Sequence, residues 1–340
     1  MVKKIIALFL VIVLCILSLT GCRNGNSQNQ SQAQTQSQPN QAAKITFVLD
    51  WLPNTNHTGL YVALKKGYFE EAGLEVDIQQ PPEDGAEALV ASGKAQFGVS
   101  FQENIGMMLD SDSPMPITTV AAIIQHNTSG IISLKSTGIT SPKGLEGRTY
   151  ATWDLPVEKA ILKDVVTKDG GDFSKVKMVP TTVTDVITAL NTNIDAVWVY
   201  YAWDGVAAKV KGIDFNFFAF KDINPALDFY TPIIIANDEY LQQNPDTAKA
   251  FLNAVRQGYE FAAENPEEAA EILCEAVPEI DIQIAIESQK YLAEQYIAGA
   301  SRWGEIDLQR WDTFFNWLYE NKIIDKQIPS GKGFTNDYLN

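Results

Sequence analysis

The stretch Val48-Leu49-Asp50-Trp51-Leu52-Pro53-Asn54-Thr55-Asn56-His57-Thr58-Gly59-Leu60-Tyr61-Val62-Ala63 holds a strand end, a polar loop and a helix start. The apolar run 45–49 stops at Asp50, and Pro53 bars its continuation as a central strand. An apolar-periodic helix follows, predicted over 57–72, with Asn56, His57 and Thr58 at its start. In α/β proteins ligands gather where strand C-termini meet helix N-termini. This loop sets an indole (Trp51), an amide (Asn54) and an imidazole (His57) at such a place, with Tyr61 a turn further on. Structural roles compete: core packing for Trp51, and a helix-terminus hydrogen bond for His57.

Outward from that loop the pattern repeats. Strands are predicted at 45–49, 74–79, 95–100 and 117–124, with helices at 57–72, 84–92 and 103–109. Such alternation predicts a parallel sheet with crossover helices. A second series follows Gly144, with strands at 148–152, 176–180, 196–200 and 215–220 and helices at 157–169, 183–191 and 203–211. After a strand at 230–236 the chain reads as helices. Asn244-Pro245-Asp246 and Asn265-Pro266-Glu267 both put Pro at a first helical position. Two series with a late helical return predict an α/β chain of the type II periplasmic-binding-protein fold, two lobes with a ligand cleft between them. Crossings are expected near 133–138 and 224–231, so that 44–134 and 231–340 form lobe 1 and 135–230 forms lobe 2.

The first residues read as a targeting signal. Lys3 and Lys4 precede an apolar segment, 5–19, that is short for a membrane span. Leu19-Thr20-Gly21-Cys22 has the form of a bacterial lipoprotein box, which makes 1–21 a signal peptide and Cys22 a lipidation site. Two acyl chains suffice for stable anchoring. Residues 23–43 are almost all Gln, Asn, Ser, Ala, Thr and Gly, so 22–43 is expected to be a lipidated cysteine and disordered tether spanning roughly 25 Å. The soluble part is thereby placed at the outer face of a bacterial cell membrane. Cys274 is then the one cysteine left and has no partner for a bridge.

Without Lys3 and Lys4 the chain has 24 basic and 42 acidic residues, a net charge of −18. Nucleic acid is excluded as a partner on that balance. His126 has no acidic or cysteine neighbours at ligand spacing, so no metal site is suggested, and no cofactor is expected.

Three further loops carry candidate ligand contacts. Gly98-Val99-Ser100-Phe101-Gln102-Glu103-Asn104 ends a strand at a helix start, where Gln102 either anchors a ligand or caps the helix. Ala151-Thr152-Trp153-Asp154-Leu155-Pro156-Val157-Glu158 offers Trp153 and Glu158. A carboxylate there suits the helix dipole, and it also matches the paired hydrogens of a protonated aminopyrimidine. Trp198-Val199-Tyr200-Tyr201-Ala202-Trp203-Asp204 has more rings than a buried strand needs; Trp198 is expected in the core, while Tyr200, Tyr201 and Trp203 compete for the cleft. Phe229 and Tyr230 stand at the second crossing, where they are expected to close one wall of the cleft. The loops are rich in rings and hold none of the five arginines Arg23, Arg148, Arg256, Arg302 and Arg310. An anionic ligand normally wants a guanidinium fork, whereas a planar heterocycle wants stacking faces and a few polar anchors.

The opening stretch, with Lys66-Gly67-Tyr68-Phe69 and Ala72-Gly73-Leu74, closely resembles bacterial solute-binding proteins for thiamin-precursor pyrimidines. Gly93-Lys94-Ala95-Gln96-Phe97-Gly98, Leu145-Glu146-Gly147-Arg148 and Asn237-Asp238-Glu239-Tyr240-Leu241 extend that resemblance over 44–340. It implies a substrate-binding lipoprotein of an ABC importer, with formylaminopyrimidine or hydroxymethylpyrimidine as ligand and a permease as partner. Fungal synthases of that pyrimidine share the superfamily. Their cofactor-bearing lysine and substrate histidine match Ser100 and Asn104 here, and their cysteine-rich iron motif falls near Tyr230, where this chain has no cysteine. The resemblance thus implies a binding protein and no enzyme, with riboflavin or another heterocycle as the other ligand class on the same scaffold.

Overall fold

The computed structural model describes residues 42–83 and 85–339. The signal segment 1–21, Cys22 and nearly all of the tether 22–43 lie outside the described residues. The first half of the chain forms β1 (Ala43–Val48), α1 (Thr58–Lys65), α2 (Tyr68–Glu71), β2 (Leu74–Gln79), α3 (Ala86–Ala91), β3 (Phe97–Ser100), α4 (Gln102–Asp110), β4 (Ile117–Ala122) and β5 (Ser129–Leu134). Then come β6 (Thr149–Thr152), α5 (Pro156–Lys168), β7 (Lys177–Pro180), α6 (Val186–Leu190), β8 (Ala196–Tyr200), α7 (Val206–Val210), β9 (Phe215–Ala219) and α8 (Phe220–Ile223). The chain closes with β10 (Ile233–Asn237), α9 (Asp238–Gln243), α10 (Pro245–Glu264), α11 (Pro266–Ala276), α12 (Ile282–Ala293) and α13 (Leu308–Glu320).

Two five-stranded sheets result, ordered β2-β1-β3-β10-β4 and β7-β6-β8-β5-β9. Each is mixed rather than parallel throughout. β1 runs parallel to β2 and β3, and β6 parallel to β7 and β8. β10 and β5 are the antiparallel insertions, each pairing with both of its neighbours. The cause lies in the connectivity. β5 and β10 enter from the other lobe, so no crossover helix dictates their direction.

β5 also corrects the first boundary. The crossing runs through 123–128, between β4 and β5, and not through 133–138; residues 129–134 belong to the second sheet. The glycine turn after β5 is a 3-10 turn, Lys135–Thr137, closed by Gly138 at φ +74° inside that lobe. The second crossing, 220–232, contains α8 and ends at β10.

The helix expected at 57–72 is broken three ways. A 3-10 turn, Thr55–His57, precedes α1, and Gly67 at φ +79° separates α1 from α2. A left-handed residue ends a helix because it turns its own N–H toward the preceding carbonyls.

The C-terminal helices return to the first sheet. α10 lies against α1 where Gly258 meets Gly59: a Cβ on Gly258 would stand 2.0 Å from the Gly59 carbonyl oxygen, and one on Gly59 would stand 2.3 Å from the Tyr259 ring. Over this contact Phe47, Phe69 and Phe97 surround Phe251, with Phe97 and Phe251 stacked at 4.3 Å. β10 is the fully buried run Ile-Ile-Ile-Ala-Asn, as a central strand requires. Cys274 is free and half-buried on α11.

Candidate functional site

The C-terminal ends of the parallel strands converge where the chain changes lobe. Ser100, the last residue of β3, faces Ile233, the first of β10. Tyr200, the last of β8, faces Ser129, the first of β5. Phe101 of one lobe stacks on Tyr200 of the other, with ring centroids 6.5 Å apart and planes 20° off parallel. The Tyr200 hydroxyl lies 3.3 Å from Thr231 Oγ1 in the second crossing. A second joint uses α12: Thr55 Oγ1 is 2.5 Å from Ser288 Oγ, and the Ser288 hydroxyl donates to the Ala202 carbonyl. Tyr201 packs on Tyr291 beside it, at 5.2 Å.

The loops after β1 and β6 present the exposed rings of the region. Trp51 is 54% exposed and Trp153 41%. Trp153 leans on Trp198 at 5.8 Å, and Trp198 is itself buried against Phe220. Asp154 holds the Trp153 loop in a left-handed turn at φ +66°, tied by its N–H to the Thr152 hydroxyl and by its carboxylate to Lys159. Tyr200 and Trp203 are half-exposed, Trp203 in a π-turn, Tyr201–Gly205, that follows β8. Tyr61 is half-buried on α1. Asn54 caps the 3-10 turn, accepting from the Asn56 N–H and donating to the Leu52 carbonyl.

Three expected anchors are instead spent on the fold. His57 is fully buried; Nδ1 accepts the Asn54 N–H at 3.1 Å and Nε2 meets Asp50 Oδ1 at 2.6 Å. That pairing selects the tautomer with its proton on Nε2 and leaves no ring nitrogen for a ligand. Gln102 is buried, donating to the Trp311 carbonyl and accepting from the Tyr230 N–H. Tyr230 is buried too; its hydroxyl accepts the Asp307 N–H and its ring lies 4.9 Å under the Arg310 guanidinium. Phe229 does not wall a cleft either, being stacked on Phe314 at 4.1 Å.

Glu158 has one oxygen committed. Oε2 accepts from the Thr152 hydroxyl and from the Trp153 N–H, at 2.7 and 2.9 Å. Oε1 is enclosed without a hydrogen-bond partner. Burial raises the Glu158 pKa, although its hydrogen bonds with the Thr152 hydroxyl and the Trp153 N–H oppose the rise.

Three ionisable groups here carry no distinguishing signal in the sequence. Glu103, at the start of α4, has Oε2 enclosed and unpartnered, and burial, with Glu87 adding to it, pushes its pKa up to about 8. Asp204, in the π-turn, is pushed up to about 6 by burial, with Asp185 adding to it. Both residues lay within quoted motifs, but a carboxylate at a helix start also satisfies the dipole, and only enclosure separates the two cases. The third is Arg310, which α13 brings to the crossings from far along the chain. It donates to the Gln125 carbonyl and lies 4.0 Å from Asp228, which also holds His126 Nδ1 at 2.7 Å. Its charge is thereby balanced in place. No group of three or more metal-ligating side chains occurs among the described residues.

Ser100 and Asn104 have a shared partner. The Ser100 hydroxyl and the Asn104 amide both donate to Glu87 Oε1, at 2.6 and 2.8 Å.

Comparison with known proteins places this geometry. A family model described as NMT1/THI5 like matches residues 54–269. A formylaminopyrimidine-binding protein of Halalkalibacterium halodurans is 29% identical over 303 residues, covering 86% of this chain and 89% of that protein. A 4-amino-5-hydroxymethyl-2-methylpyrimidine phosphate synthase of Legionella pneumophila is 25% identical, covering 87% and 92%. Among solved structures, the alkanesulfonate-binding protein SsuA of Xanthomonas axonopodis pv. citri, bound to MOPS, superposes with a TM-score of 0.66 at 10% identity, over 86% of this chain and 98% of that one. The architecture is the two-lobed type II periplasmic-binding-protein fold.

Proposed function

Since the chain belongs to the NMT1/THI5-like family, we propose that it is the extracytoplasmic substrate-binding component of an ABC importer and captures a thiamin-precursor aminopyrimidine between its lobes. The carrying observation is the set of groups at the facing strand ends. Trp51 and Trp153 expose ring faces there, and the enclosed carboxyls of Glu103, Glu158 and Asp204 accompany them. Flat rings favour stacking on a planar heterocycle, and carboxyls match the amine and ring nitrogens of an aminopyrimidine. The relative that binds formylaminopyrimidine supports the ligand class.

The family also contains pyrimidine synthases, so a catalytic reading has to be weighed. Two positions argue against it. Where the synthases need a lysine and a histidine, Ser100 and Asn104 here hold the Glu87 carboxylate, a task that a hydroxyl and an amide perform. Binding and release without turnover is the reading adopted.

Calorimetry on the domain from Lys44 onward, with formylaminopyrimidine, hydroxymethylpyrimidine, riboflavin, taurine and nitrate, tests the ligand class. One of the pyrimidines should bind below ~100 µM, and at a hundred times its Kd it should stabilise the fold by about 2.7 kcal/mol. Binding of taurine or nitrate alone would end the pyrimidine reading. Cys22, outside the described residues, is proposed as the lipid anchor that holds the protein beside its permease. Incorporation of labelled fatty acid in cells, abolished by Cys22→Ser, is the corresponding test.

A further inference from the structure

Glu103 stands out because burial and a neighbouring carboxylate both oppose its charge. Two residues before it the Phe101 ring stacks on Tyr200 of the other lobe, and Glu103 lies near enough to act on the Tyr200 phenol. Its side chain as a whole is half-buried, but Oε2 is closed off with no hydrogen-bond partner. The charged and titratable groups facing it are acidic. Glu87 on α3 is already occupied by Ser100 and Asn104, and the Tyr200 phenol on β8, which Asp50 also influences, lies within its field. The amides at the start of α4 are what favours ionisation. Burial outweighs them, and the group holds its proton to about pH 8. A buried oxygen without a partner costs free energy that a bound molecule can recover.

We propose that Glu103 serves as a neutral carboxylic acid that donates its O–H to an acceptor on the ligand, a ring nitrogen or carbonyl of an uncharged heterocycle, and so selects that class. The inference rests on the ligand-binding reading and adds a residue and a direction of hydrogen bonding to it. Glu158 and Asp204 accept from the amine side of a planar ring in that reading; Glu103 supplies the donor that a ring with both kinds of edge requires. When Glu103 loses its proton it can no longer donate, and a second carboxylate beside Glu87 repels any acceptor brought to it.

The test measures affinity against pH by calorimetry for the wild type, Glu103→Gln and Glu103→Leu, using whichever of the two pyrimidines or riboflavin binds. Wild-type affinity should fall roughly thirtyfold between pH 7 and pH 9.5, as an acid of that strength ionises. Glu103→Gln keeps a donor that does not titrate; it should bind within about tenfold of the wild type at pH 7 and be flat over the same range. Glu103→Leu should lose binding while melting at or above the wild-type temperature. A flat wild-type profile overturns the proposal, as does an unchanged slope in Glu103→Gln or undiminished affinity in Glu103→Leu. The carbon-13 carboxyl signal missing from Glu103→Gln gives a ligand-free readout, and a midpoint in the ordinary glutamate range overturns the proposal by itself. Riboflavin binding with the same slope, and no pyrimidine binding, removes the pyrimidine reading and leaves this one standing. Binding of none of the three removes both.

Discussion

Glu158 Oε2 takes the backbone N–H of Trp153 at 2.9 Å, and so the carboxylate of one helix start fixes the indole of the loop before it. Sequence logic offered Glu158 as a fork for the ligand; the structure gives half of that fork to Trp153. Glu158→Gln should therefore act twice. It replaces an acceptor oxygen with an amide nitrogen at one end and removes the charge at the other. Affinity for the pyrimidine should drop by about 1–2 kcal/mol, with Trp153 fluorescence changed in the ligand-free protein. Unaltered affinity together with unaltered fluorescence would show that neither task is performed.

Trp51 calls for the opposite signature. More than half of its surface is exposed, so Trp51→Ala removes little packing. Binding should weaken by more than ~1 kcal/mol while the unfolding midpoint moves by less than about 0.5 kcal/mol. A large loss of stability would assign the ring to the core.

Gly59 and Gly258 set the distance between α1 and α10. With 2.0 Å available to a Cβ on Gly258, the methyl of Gly258→Ala meets backbone, which has no rotamer to yield. A destabilisation of about 1–3 kcal/mol is expected from denaturant midpoints, above what helix propensity would return. An equal or higher midpoint would mean that the helices separate freely.

The pH dependence of stability follows from Glu103. Its pKa in the folded protein, about 8, is above the ordinary 4.5, so the folded state binds the extra proton between those values. Stability is then fullest below the unfolded value and falls as pH rises toward 8. Asp204 adds a contribution of the same sign that is complete by about pH 6. Between pH 6 and 8.5 the melting temperature of Glu103→Gln should accordingly climb relative to the wild type. A constant difference across that window would rule out a buried protonated Glu103.

His57 makes a structural prediction. Its two nitrogens join Asn54 and Asp50 across the loop that carries Trp51. His57→Leu leaves Asp50 without its donor in a largely enclosed place and should cost about 1–3 kcal/mol of stability. Loss of affinity with full stability would return the imidazole to the ligand.

Where the sequence was readable, one local signal governed each element. Pro245 and Pro266 begin their helices as their caps promised, and 74–79 and 196–200 are strands to the residue. The direction of β10, and β5 altogether, were not readable this way, because a strand arriving from another lobe carries no record of its neighbours. The site behaved alike. Exposed rings after strand ends could be located from turn residues alone. The fates of His57, Gln102 and Tyr230 depended on Asp50, Trp311 and Asp307, and the last two lie 209 and 77 positions away from the residues they hold. Arg310 was invisible for the same reason: its distance in sequence from the crossings exceeds any motif.

The position of β10 has a consequence for how the molecule is made. It lies between β3 and β4, yet it is synthesised only after every strand of the second sheet. Until residues 233–237 are available, the first sheet has a gap at its centre with the facing edges of β3 and β4 unpaired, whereas all five strands of the second sheet are already present. The second sheet can therefore be completed before the first can close, and until then Phe97–Ser100 and Ile117–Ala122 are buried strands left as open edges.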